Sequence, residues 1–152
     1  MHRDIFVISE DRNYRISDIK IEEDPTFRNY GDYVGYEVFD TDKSFSCLEE
    51  ILCEYSDHIQ IDRTNHSFIL ESGYQTETFQ KILAQVTNYI TSIDPTAFAA
   101  DSTQVDYFER YVWEGKPILV WFDSRIMKLA SAIRLIKPMR EYFLTQIFDY
   151  HL

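Results

Sequence analysis

Apolar positions alternate with polar ones in several short stretches and recur at helical spacing in others. Residues 5–9 form a short apolar run and predict a strand. Residues 14–22 carry Ile19 and Ile21 two apart between charges, which predicts a second strand behind a turn at Arg12-Asn13. Glu23-Asp24-Pro25 opens a polar stretch to Asp32 and predicts a loop, because Pro25 lacks a donor and restricts its neighbour. Residues 33–40 predict a third strand, with Val34, Tyr36 and Val38 on one face and Tyr33, Gly35, Glu37 and Phe39 on the other.

Ser46-Cys47-Leu48-Glu49 has the form of a helix capping box. It predicts a helix with Cys47, Leu48, Ile51, Leu52 and Tyr55 as its apolar stripe. Residues 58–71 predict a hairpin around Thr64-Asn65, pairing Asp62 with Ser67, Ile61 with Phe68 and Ile59 with Leu70. Phe79, Ile82, Leu83, Val86, Ile90 and Ile93 fall on one side of a helix over 74–93, which Asp94-Pro95 ends. A linker and a short helix aligning Val105, Phe108 and Val112 follow, and Gly115-Lys116-Pro117 breaks the chain. Residues 118–122 predict a strand covered on both faces. Asp123 and Ser124 then stand as cap-type residues ahead of two helices, roughly 125–136 and 138–149, or of one helix sharply kinked at Pro138. Early hairpins and late helices predict one α+β domain: an antiparallel or mixed sheet with helices packed mainly on one face.

The 152 residues include 11 Tyr and 11 Phe, enough aromatic mass for a buried core and too much for a disordered chain. The apolar run near the N-terminus is too short for a secretory signal, and no segment approaches the roughly 18–20 apolar residues of a membrane span. Those absences, with two cysteines six apart on a predicted helix, point to a cytoplasmic protein without a disulfide.

Charge changes the picture most. The net charge is −11, and residues 1–62 hold 16 acids against 6 bases. Such a surface repels phosphate backbones, so direct nucleic-acid binding is not expected. Candidate chemistry is sparse. His58, Asp62 and His66 are the nearest approach to a metal or hydrolase set, but on a strand His58 and Asp62 lie about 13 Å apart. Cys47 and Cys53 lie among acids, which disfavour a thiolate. No phosphate-cradling glycine loop and no nucleophile elbow occurs. No metal and no cofactor are expected.

One segment combines acids with aromatics. Glu23, Asp24, Asp32, Glu37 and Asp40 interleave with Tyr30, Tyr33 and Tyr36. Aromatics anchor protein interfaces and carboxylates steer a basic partner towards them. The leading expectation is a small acidic binding protein that masks a basic surface of a protein partner, such as a nuclease or nucleic-acid-binding enzyme. Immunity proteins that neutralise nuclease toxins, and phage proteins that block defence enzymes, use this physics; the likeness is one of charge and size. Two alternatives stand beside it. One is a motif-free hydrolase using His58, Asp62 and His66. The other is an assembly subunit docking through C-terminal helices that carry Arg125, Lys128, Arg134, Lys137 and Arg140.

Overall fold

A computed structural model describes residues 2–29, 31–96 and 118–151. The expected linker and short helix between 97 and 117 lie outside the described residues. The elements are β1 (His2–Ser9), α1 (Asp18–Glu22), a 3-10 turn (Phe27–Asn29), β2 (Tyr33–Glu37), α2 (Thr41–Tyr55), β3 (Ile59–Asp62) and β4 (Ser67–Leu70). They continue with α3 (Tyr74–Ser92), β5 (Leu119–Phe122), β6 (Arg125–Lys128), α4 (Leu129–Leu135) and β7 (Glu141–His151).

The seven described strands form one mixed sheet; six follow the order β3-β4-β7-β1-β5-β6 and β2 pairs with β7 beside that path, and this is an α+β fold. β1 and β5 run parallel, whereas β7 runs antiparallel to β1 along most of its length. The other edge of β7 is shared. β4 pairs with it over residues 141–143, and β2 pairs with it over 148–151.

α2, α3 and α4 cover one face. Phe45, Leu48 and Leu52 of α2, Tyr74 of α3, and Leu129, Ala132 and Ile133 of α4 pack there on Phe6, Ile8, Phe68, Val120, Leu144 and Ile147. On the other face Ile16, Ile21 and Phe27 cover Ile5, Val7, Leu119, Trp121, Phe148 and Tyr150. Burying each such side chain contributes about 1.5–3 kcal/mol, so both layers matter to stability.

The hairpin has the expected register, Ile59 to Leu70 through Asp62 to Ser67. Its loop is Arg63 to His66, and the left-handed residue is His66 (φ 50°) rather than Asn65. Asp62 shapes the loop by accepting from the N–H groups of Thr64 and Asn65 at 2.9 and 3.1 Å.

Four expectations are corrected. Residues 14–22 are not a strand: Ser17 caps α1, and Ile21 alone of the two isoleucines is buried. α2 starts at Thr41 under an Asp40 cap, ahead of the Ser46 box, and its buried residues are Ser44, Phe45, Leu48 and Leu52, with Cys47 exposed. Asp123 and Ser124 are not helix caps. Both take left-handed angles (φ 52° and 62°) in a two-residue turn joining β5 to β6, so the helix starts only at Leu129. Finally, residues 138–149 contain no helix. Pro138 follows the end of α4, Met139 turns with φ 63°, and β7 occupies the middle of the sheet. The C-terminal docking helices of the assembly-subunit alternative are therefore replaced by one helix of seven residues and a largely buried strand.

α3 forms as expected but buries a narrower stripe. Tyr74, Thr78, Ile82 and Val86 are inside, while Leu83 and Ile90 are exposed, at 63% and 54%. Phe79 lies partly covered under the guanidinium of Arg134, 4.8 Å from its ring centre. No described helix is long and apolar enough to cross a membrane.

Candidate partner-binding face

β2 reaches the sheet with one extra residue. Tyr33 stands opposite His151 and Val34 opposite Tyr150, but Tyr36 stands opposite Asp149, so Gly35 is a bulge. A side chain at Gly35 would place its Cβ 3.0 Å from the Asp149 carboxylate, tighter than an ordinary contact. The bulge reverses the expected alternation. Tyr33 and Tyr36 share the helix-bearing face, and Val34 and Glu37 point to the opposite side.

Two rows result across neighbouring strands. Tyr33 faces His151 of β7, and the two rings stack with centres 4.5 Å apart. Tyr36 faces Asp149 of β7, which in turn faces Asp4 of β1. Tyr33 and Tyr36 remain 50% and 60% exposed, and Phe39 beyond them is almost bare. Large apolar side chains left in water at one place mark interaction surfaces more often than scattered ones do.

The acids of this segment have separate roles. Residues 18–42 hold eight acids and two bases, net −6. Glu23 and Asp32 are exposed. Asp40 is exposed and caps α2 by accepting from the Lys43 N–H at 3.2 Å. Glu37 is paired with Arg15. Asp24 departs from the expectation of a surface contact: it is 8% exposed, and its carboxylate accepts from the N–H groups of Thr26 (2.7 Å) and Ile126 (2.9 Å). It ties the N-terminal layer to the outer edge of β6. Tyr30 lies outside the described residues. Of the nominated residues, Glu23, Asp32, Tyr33, Tyr36 and Asp40 are thus the ones whose side chains are exposed.

Asp4 and Asp149 carry no local sequence signal, because they meet only through the pairing of the two chain ends. Asp149 is 4% exposed. Desolvation raises the Asp4 pKa above the usual carboxylate value, the Asp149 charge raises it further, and Lys43 opposes both. Like charges directly opposite in a sheet are destabilising. The raised pKa means that the folded chain holds this proton more tightly than the unfolded chain does. The penalty is then absent below the unfolded value and fully present above the folded one. Asp4→Asn should accordingly stabilise the protein at neutral pH by a few tenths to about 1 kcal/mol. The gain should shrink as pH falls towards 4. Urea unfolding of both proteins from pH 4 to 8 measures it; a gain that grows on acidification would contradict the assignment.

The hydrolase set does not assemble. His58 lies 3.8 Å from Glu77, His66 bonds Asp42 at 2.6 Å, and Asp62 is engaged in its own loop. Among the described residues no three His, Cys, Asp or Glu side chains are placed to hold a metal ion. The Cys53 thiol is pushed up by desolvation and then by the charges of Glu49 and Asp57.

A separate cleft of about 410 Å3 opens at the C-terminal ends of β1 and β5, lined among others by Glu10, Tyr14, Trp121, Asp123, Lys137 and Tyr142. Its walls are bonded to each other. The Tyr142 hydroxyl donates to Glu10 and accepts from the Lys137 N–H, both at 3.0 Å, and Trp121 Nε1 donates to the Tyr14 hydroxyl at 3.1 Å. The Tyr142 bond and then Arg140 hold the Glu10 carboxyl below its usual range. This corner ties the loop after β1 to the start of β7.

Comparison with protein-family models, curated proteins and solved structures gives no match to this chain.

Proposed function

We propose that this chain is a binding protein that masks a basic surface of a protein partner, in the manner of an immunity or anti-defence inhibitor, and performs no chemistry itself. A nuclease or another nucleic-acid-binding enzyme is the partner class that this charge suits, since such enzymes carry the basic surfaces that phosphate requires. The observation that carries the reading is the pair Tyr33 and Tyr36, brought to one face by the Gly35 bulge inside a segment of net −6. Tyrosine is favoured as an interface anchor because it supplies rigid area with a polar tip, and the surrounding carboxylates accelerate encounter.

The test is capture of partners from the native host at low and high salt, followed by kinetics on the complex. Raising salt should slow association much more than it speeds dissociation, because exposed charges are screened beyond about 8 Å at physiological ionic strength. Glu23→Lys should act in the same way. Tyr36→Ala should act on dissociation, by about 2 kcal/mol or roughly thirtyfold if the ring is an anchor. A salt-insensitive complex whose contacts lie wholly on α3, or wholly within 125–146, would overturn the proposal.

A further inference from the structure

The row Tyr36–Asp149–Asp4 and the stacked pair Tyr33–His151 lie at one end of the helix-bearing face, with Tyr33, Tyr36 and Asp4 exposed and Asp149 buried. Four ionisable groups meet there: Asp4 of β1, Asp149 and His151 of β7, and Lys43 from the first turn of α2. His151 Nε2 lies 3.7 Å from the Asp149 carboxylate, under the ring of Tyr33. The two aspartates stand directly opposite each other, one largely buried and one facing water. Two exposed tyrosine rings flank this carboxylate pair on the β2 side.

We infer that this end of the sheet is a seat for an arginine side chain of the basic partner, with the guanidinium lying along Tyr36 and Tyr33 and donating to the carboxylate of Asp4. The inference deepens the masking reading and rests on it. Three observations favour an arginine. The pair of opposed carboxylates gains most from a delocalised cation placed beside it, since a cation offsets the repulsion that the fold imposes. A flat guanidinium stacks on an aromatic ring while its edge still donates, which an ammonium cannot do. Lys43 lowers the Asp4 pKa by less than desolvation and the Asp149 charge raise it, so a further cation beside Asp4 would offset a penalty that Lys43 only partly relieves. A protonated Asp4 must release its proton to accept the guanidinium, so seating should be favoured as pH rises from 4 towards neutrality.

The probes are N-acetylarginine amide and N-acetyllysine amide, titrated at low salt into the full chain and followed by NMR at the tyrosine rings and the aspartate carboxyls. The arginine probe should shift Tyr33, Tyr36 and Asp4 along one saturable curve. The lysine probe should bind at least about fivefold more weakly, and Asp4→Asn and Tyr36→Ala should each weaken the arginine probe by about the same factor, the size of a partly exposed cation–π or charge-assisted contact. Thermal unfolding of both variants checks that the fold is kept. Equal response to both probes, or shifts spread over all exposed carboxylates, would show general counter-ion attraction and overturn the seat. Failure of the seat and failure of the reading separate on the captured complex. A partner weakened by Tyr36→Ala but indifferent to Asp4→Asn keeps the masking function and rejects the arginine. A partner bound elsewhere rejects the masking face, while the probe titration still judges the seat.

Discussion

Ile147→Ala should cost the protein about 2–5 kcal/mol, whereas Leu83→Ala should change stability by no more than about 0.5 kcal/mol. Ile147 is fully buried in the helix-side core at the middle of β7. It stands opposite Phe6 of β1, and its carbonyl accepts from the Val38 N–H at 2.8 Å on the other edge. Truncation removes three carbons from a site held by backbone on both edges, so the cavity has little freedom to collapse. Leu83 occupies the outer side of α3, where alanine removes only solvent-facing area and improves helix propensity slightly. Ile147→Pro should abolish folding outright, because proline in a central strand removes a ladder donor. Urea denaturation with a shared m-value measures the contrast. Equal effects at Ile147 and Leu83 would refute both the central placement of β7 and the orientation of α3.

That contrast also separates what was legible in the chain from what was not. The 58–71 hairpin could be placed to the residue because Ile59, Ile61, Phe68 and Leu70 alternate with polar neighbours, and a one-residue slip would turn all of them outward. The existence of α3 was equally plain from its spacing, but the depth of its apolar stripe was not. Periodicity identifies a face; it does not say how far along the helix the sheet extends beneath it. β7 failed for a different reason. Covered on both faces, it shows no clean alternation: Tyr142, Leu144 and Ile147 go one way and Phe148 and Tyr150 the other, with a bulge in the pairing between Val7 and Ile8. Its wealth of Tyr, Phe, Thr and Ile was the available signal for a strand, and Pro138, read as a helix start, masked it. At the candidate face, Tyr33 and Tyr36 were nominated as interface aromatics, but on opposite faces of their strand. Their shared orientation was not legible, since a single bulged glycine sets it. Asp4 and Asp149 were invisible because 145 positions separate them.

Asp24→Ala should cost about 3 kcal/mol or more and should leave association with a basic partner unchanged. Its carboxylate answers two backbone donors, one from the adjacent turn at Thr26 and one from Ile126 on β6. Ile126 pairs with Trp121 in the position next after the hydrogen-bonded pair at the turn, so its N–H points away from β5, to an edge that no described strand covers. Hydrogen bonds to a charged acceptor contribute about 1.5–3 kcal/mol each, and removing the acceptor strands both donors in a site that water barely reaches. Asp24→Asn should recover part of the loss, because the amide oxygen still accepts although the negative charge is gone. Glu23, one residue earlier and exposed, should show the opposite profile: charge reversal costs little stability and slows association. Of these neighbouring acids Asp24 holds the N-terminal layer to the sheet through Ile126, 102 positions away, while Glu23 stays in solvent, where the proposed function would have it steer a partner. Denaturation midpoints and association rates on the two variants test the division directly. If Asp24→Ala kept its stability within about 0.5 kcal/mol and slowed association instead, Asp24 would belong to the partner face and not to the fold.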